Sequence, residues 1–268
     1  MNMEKQNNLK SPGAKVYAIT SGKGGVGKTS IAVNLSIVMS KAGLKVLLID
    51  ADMGLANIDL MTGVSAVHTI EEVIDGKASI FDALAEGPEG VTVLSAGSGS
   101  GRISDVDGHR VKKFRNELLK LENAFDIIFI DTGAGISANV VDFIFMANEV
   151  LVVMTAEPTA FADAYAIVKL ISNEKPELNV GIIINMGKNE KESDLLYERF
   201  NEIVRRFLRS EILFHGSVPR DKIVTEAIMR QTPLAVYADK SAPMKSLRVI
   251  ARNMLGIEKT KQKTIFNR

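Results

Sequence analysis

The chain has 268 residues, a formal net charge of +1, 46% hydrophobic and 24% charged residues, and no cysteine. That balance belongs to an ordinary soluble protein with a sizeable core and excludes disordered or nucleic-acid-coating compositions. Without thiols there are no disulfides, thiolate metal sites, cysteine nucleophiles or cysteine-ligated iron–sulfur clusters, which suits a reducing cytosol.

Residues 1–14 are polar, end in Ser11-Pro12-Gly13 and hold no apolar segment, so they read as a mobile arm rather than a secretory signal. No run approaches the length of a membrane span, and the expected location is cytosolic, with at most a peripheral anchor. Lys15 to Thr20 has strand character. Ser21 to Ser30, SGKGGVGKTS, fits the template of glycine, four free positions, then Gly-Lys-Ser/Thr, and Ile31, Leu35, Val38 and Met39 follow at helical spacing. Strand, glycine loop and helix thus come in the order that sets an anion on a helix N-terminus.

The first helix closes at Gly43, and Lys45 to Ile49 forms a strand apolar enough to be buried on both faces, with Asp50-Ala51-Asp52 at its end. Thr69 and Glu72 predict a capping box opening a helix to Asp75, and a third strand covers Val91 to Leu94. The loop Gly97 to Gly101 lacks the pattern of a dinucleotide fingerprint. A helix over His109 to Leu121, with Val111, Phe114, Leu118 and Leu121 on one side, leads to the strand Asp126 to Asp131. Further strands are expected at Val150 to Met154, Val180 to Ile184 and Phe214 to Pro219. The helices between and after them start near Ser137, at Pro158, over 193–209, from Lys222 and over 243–255. In helix 193–209 the spacing buries Leu196, Phe200, Ile203 and Phe207. This alternation predicts an α/β fold, a doubly wound, mostly parallel sheet with helices on both faces and active groups at the C-terminal strand ends. Residues 15–255 are expected to be one domain, followed by a basic tail over 256–268.

In the loop, Gly24, Gly25, Val26 and Gly27 offer backbone N–H groups to phosphate oxygens, Lys28 a charge to the terminal phosphates, Thr29 a hydroxyl ligand to Mg2+, and Ser30 continues the cradle. Asp131, after four apolar residues, is the second carboxylate such a site needs to hold Mg2+ through water. Asp50 and Asp52 end the neighbouring strand; Asp52 is the candidate to orient attacking water and a further metal-side carboxylate, while Asp50 serves equally well as a loop cap. Asn185 can offer its amide to an adenine edge or be an ordinary turn residue, and the Val218 to Asp221 turn, with Pro219 and Asp221, presents polar groups to a base or is a proline-fixed loop. His68, His109 and His215 are expected at the surface or at caps.

With these residues in view, the chain resembles the MinD/ParA family of deviant Walker ATPases over about residues 15–255. The resemblance rests on Lys23-Gly-Gly-Val-Gly-Lys28-Thr29, Asp50 to Asp59 and Ile128 to Ile136. Within the family, Asp131 to Ile136, Met53 to Asp59 and Val218 to Pro233 are most like the flagellar number regulators. The resemblance implies a P-loop ATPase with Lys23, Asp52 and Lys28 as catalytic residues and ATP/ADP with Mg2+ as cofactors. It implies a homodimer in the ATP state, Lys23 of each subunit reaching the other's phosphates. Its implied partners are a signal-recognition-particle-type GTPase and flagellar switch components. Against an activating motif of the form Asp-Gln-Ala-x-x-Leu-Arg, the segment Glu4 to Lys10 keeps only Leu9. The tail Lys259 to Arg268 is basic, with Ile265 and Phe266 as its apolar anchors: little for one membrane contact, more for two joined by dimerisation. The alternatives are a DNA-associated partition ATPase using Arg205, Arg206 and Arg209, which the near-neutral charge disfavours, and a division-site placement ATPase.

Overall fold

The computed structural model describes residues 13–52, 57–96 and 108–257, with backbone alone at 108 and 109. Strand β1 (Lys15–Ser21) is followed by α1 (Lys28–Lys41), β2 (Val46–Ala51), α2 (Ile58–Thr62), α3 (Ile70–Asp75), β3 (Leu84–Glu86) and β4 (Thr92–Leu94). Then come α4 (Gly108–Leu119), β5 (Ile127–Ala134), α5 (Ala138–Ile144), β6 (Glu149–Met154), α6 (Pro158–Glu174) and β7 (Asn179–Gly187). The chain continues through α7 (Glu190–Leu208), β8 (Leu213–Pro219), α8 (Lys222–Met229), α9 (Leu234–Tyr237) and α10 (Ala242–Met254).

The eight strands form one sheet in the order β3-β4-β2-β5-β1-β6-β7-β8, parallel except for the short edge strand β3, which runs against β4. Alternate residues of each strand feed opposite faces. Ile19, Leu48, Phe129, Leu151 and Ile183 meet Leu35, Val38 and Met39 of α1 and Leu247 and Ile250 of α10 on one side. Ala18, Val150, Val152, Ile182 and Ile184 face α6 and α7 on the other, while Leu47, Ile49, Ile128 and Ile130 face α3 and α4. A fully buried aliphatic or aromatic side chain is worth about 1.5–3 kcal/mol, so these continuous apolar strands have no stable place except between two helical layers. Connections leaving β1 and β5 step to opposite sides of the sheet, so the C-terminal ends of β1 and β5 lie at its switch point.

Local signals read from sequence hold where they are short-range. Thr69 and Glu72 form the reciprocal capping box of α3, Gly43 follows α1 at a φ of 92°, and Pro158 opens α6. Two side-chain expectations are corrected. Phe207 is 64% exposed, because α7 buries Ser193, Phe200 and Val204 and the stripe has rotated past Phe207 by the helix end. His215 is buried in β8 rather than at the surface, its Nε2 2.5 Å from Glu149 Oε1, and Lys15 Nζ lies 3.2 Å from the other carboxylate oxygen. Gly181 of the intervening strand makes this possible, since a Cβ there would collide with the His215 ring. Strand β3 was not foreseen. The arm before 13, residues 53–56, the Gly97 to Gly101 loop and the tail after 257 lie outside the described residues, as does the side chain of His109.

Candidate functional site

The loop between β1 and α1 takes its shape from positions where only glycine fits. Gly25 and Gly27 have φ of 79° and 89°, and Gly22 lies so close to the backbone of Asp163 in α6 that no Cβ can be accommodated. Around Gly24 and Gly25 there is open space. Ser21 donates its hydroxyl to Lys23 O at 2.7 Å, closing the first turn, and Gly135 N donates to Ser21 O at 2.8 Å, tying the end of β5 to the loop. Helix α1 starts at Lys28 with no side-chain cap and no acidic residue in its first turn, leaving its leading N–H groups and dipole for an anion.

Lys28 is buried and close to Asp131, whose carboxyl group also receives the Thr29 hydroxyl. Burial drives the Asp131 pKa up to about 7; the Thr29 hydrogen bond and the Lys28 charge oppose the rise, and Asp52 adds to it. Asp50 stands beside Asp131 in the β2–β5 register. Its pKa is pushed up to about 8 by burial and by the Asp131 charge, against hydrogen bonds from Ile58 N at 3.2 Å and Asp52 N at 3.1 Å. Asp52 is half-buried at the end of β2, its Oδ1 3.6 Å from where a Cβ on Gly133 would stand. Asp50, Asp52 and Asp131 therefore converge next to Lys28 and Thr29, at the C-terminal strand ends. Asp50 differs from Asp52 in its use: both of its oxygens accept backbone N–H groups of the segment that leads to α2.

The remaining candidates are placed differently. Lys23 engages α6, its Nζ 2.6 Å from Glu157 Oε2 and 3.3 Å from Thr159 Oγ1 at the start of that helix. Asn185 is buried; its Nδ2 donates to Val26 O at 2.7 Å and its Oδ1 accepts from Met186 N at 2.9 Å, so its amide engages the loop backbone. Asp221 caps α8 by accepting from Ile223 N at 3.0 Å. Pro219 lines a groove of about 550 Å³ between α7, β8 and α10 that includes no residue of 22–30. Nothing local in the sequence points Glu157 or Thr159 at Lys23; Pro158 between them marks only the start of a helix.

A model of the CobQ/CobB/MinD/ParA nucleotide-binding domain matches residues 17–234. This chain belongs to that family. Among curated relatives of this MinD/ParA-type domain, the antiactivator FleN of Pseudomonas aeruginosa is 35% identical over 223 residues, covering 83% of this chain and 79% of FleN. The flagellum site-determining protein YlxH of Helicobacter pylori is 34% identical over 239 residues, covering 88% of this chain and 80% of YlxH. Among solved structures, the septum site-determining protein MinD of Pyrococcus horikoshii, complexed with Mg-ADP, superposes with a TM-score of 0.73 at 25% identity, covering 93% of this chain and 99% of that one.

The residues present suit Mg2+ and a nucleotide phosphate. Asp131 Oδ1 in β5 is buried with no hydrogen-bond partner among the described residues, as are Thr20 Oγ1 near the end of β1 and Thr155 Oγ1 just after β6. A buried carboxylate oxygen without a donor is costly unless a cation or a bound water meets it. Thr29 and Asp131 are positioned to supply the oxygen ligands that Mg2+ takes, and Lys28 with the loop N–H groups to face the phosphates.

Proposed function

We propose that this MinD/ParA-family domain, spanning residues 15–255, is an ATP-hydrolysing switch that pairs two copies face to face and regulates the number or placement of flagella. One observation carries the dimer: the two lysines of one loop are in opposite situations. Lys28 is buried beside Asp131, whereas Lys23 is turned outward to Glu157 and does not serve its own loop. A cation so placed suits the phosphates of a second subunit. In this reading Lys28 and the N–H groups of residues 24–30 hold the phosphates, Thr29 and Asp131 hold Mg2+, and Asp52 orients the attacking water. Mg2+ supplies neutralisation of phosphate charge when bound.

The flagellar role is supported by the likeness to FleN and YlxH, named as an antiactivator and as a flagellum site-determining protein. The partners that follow are an SRP-type GTPase and flagellar switch components, with weak peripheral membrane contact through 256–268. Deletion in the source organism, with flagella counted by electron microscopy, tests it. Altered number or position is expected; normal flagellation with misplaced septa would replace it with division-site placement.

A further inference from the structure

The peptide that joins Val26 to Gly27 is fastened from outside its own loop. Asn185, at the end of β7 and 159 residues away in sequence, donates Nδ2 to Val26 O at 2.7 Å and accepts Met186 N on Oδ1 at 2.9 Å. The two partners fix the amide orientation, since a carbonyl only accepts and an N–H only donates. Met186 adopts a φ of 57°, a left-handed conformation that is strained for an unbranched L-residue. The pairing of β7 with β8 shifts register between Ile184 and Gly187, at this same point. Gly27 completes the fit, because a Cβ there would run into Asn185 Nδ2. The strained φ, the register shift and the missing side chain all converge on one hydrogen bond.

The consequence follows from peptide geometry. No peptide bond among the described residues is cis, and in a planar trans peptide the C=O and the next N–H point in opposite directions. Holding Val26 O on β7 therefore turns Gly27 N–H away from β7. We propose that Asn185 is a positioning residue for phosphate binding, aiming the Gly27 N–H at the bound phosphates through the Val26 carbonyl. This rests on residues 22–30 being the phosphate site. It differs from a role in reading adenine, because the ligand it serves has no base.

The discriminating probe is Mg-tripolyphosphate, titrated into the full chain by calorimetry beside ATP and GTP. Asn185→Asp keeps the shape, loses the donor and sets a carboxylate against Val26 O; it is expected to weaken tripolyphosphate and ATP by about the same factor, about tenfold. The ATP-to-GTP preference stays as in the unmodified chain. Met186→Gly relieves the strained φ and keeps the hydrogen bond, so its tripolyphosphate affinity stays within about twofold while its thermal midpoint rises. The Gly27 amide NMR resonance moves in Asn185→Asp and stays in Met186→Gly.

Unchanged tripolyphosphate binding in folded Asn185→Asp would overturn the proposal, and so would a collapse of base preference alone. If the unmodified chain bound neither tripolyphosphate nor ATP, the phosphate-site reading would fail first and take this proposal with it.

Discussion

Asp50 and Asp131 are register partners on adjacent parallel strands, both buried, and the Asp131 charge raises the cost of ionising Asp50. Burial pushes both pKa values up from 3.8, to about 8 for Asp50, where the Asp131 charge adds to the rise, and to about 7 for Asp131, where the Asp52 charge adds to it. Between the unfolded and folded values the native chain holds protons that the unfolded chain has lost, so the stability of the ligand-free protein falls as pH rises from about 4 to about 8. Chemical denaturation across that range is expected to show the decline, and Asp50→Asn to flatten it and raise stability at pH 8. A slope unchanged by Asp50→Asn would show that the cluster does not titrate this way.

The two loop lysines are expected to separate binding from assembly. Lys28→Ala should lower ATP affinity about 100-fold, since a buried charged hydrogen bond to phosphate is worth about 1.5–3 kcal/mol. Lys23→Ala should bind ATP nearly as well as the unmodified chain yet stay monomeric, by calorimetry and light scattering together. Equal loss of ATP affinity in both variants would place Lys23 in its own subunit's site.

The Lys15–Glu149–His215 cluster, far from the loop along β1, is expected to act on stability alone. Burial opposes ionisation of Glu149, but His215 and Lys15 outweigh it and hold its pKa below the usual glutamate value of 4.5. Its contribution is therefore present above 4.5 and lost as pH falls through the depressed folded value. Glu149→Gln should cost about 1–3 kcal/mol near neutral pH, because it removes the carboxylate charge that faces buried His215, while half-exposed Lys15 turns to solvent. Gly181→Ala should cost about 1–3 kcal/mol by driving a methyl group into the His215 ring. Urea melts check both, and ATP affinity should remain unchanged.

These cases show what a chain discloses before it is folded. The glycine loop, the sheet and the aspartates of β2 and β5 were legible because each signal is contiguous: glycine spacing, apolar runs, a carboxylate after apolar residues. Strand β3 was not, since three residues ending in Glu86 carry no alternation. His215 read as a surface residue because its burial depends on Glu149 and Gly181, two residues on two other strands. Phe207 fits a helical stripe by spacing, yet α7 turns it outward after Val204. Glu157 and Thr159 meet Lys23 only through the packing of α6 beside the loop, and Asn185 meets Val26 across 159 residues, where the β7–β8 register shifts.

In the proposed cycle bound ATP brings two copies together and Asp52 ends the pairing by promoting hydrolysis. Light scattering of Asp52→Ala in ATP and Mg2+, with phosphate release followed in parallel, tests it most directly. The expected result is a stable species of twice the mass seen in ADP, with hydrolysis slowed about 100-fold. A variant that stays monomeric in ATP and hydrolyses it at the unmodified rate would show that Asp52 does not serve hydrolysis and that ATP does not drive pairing.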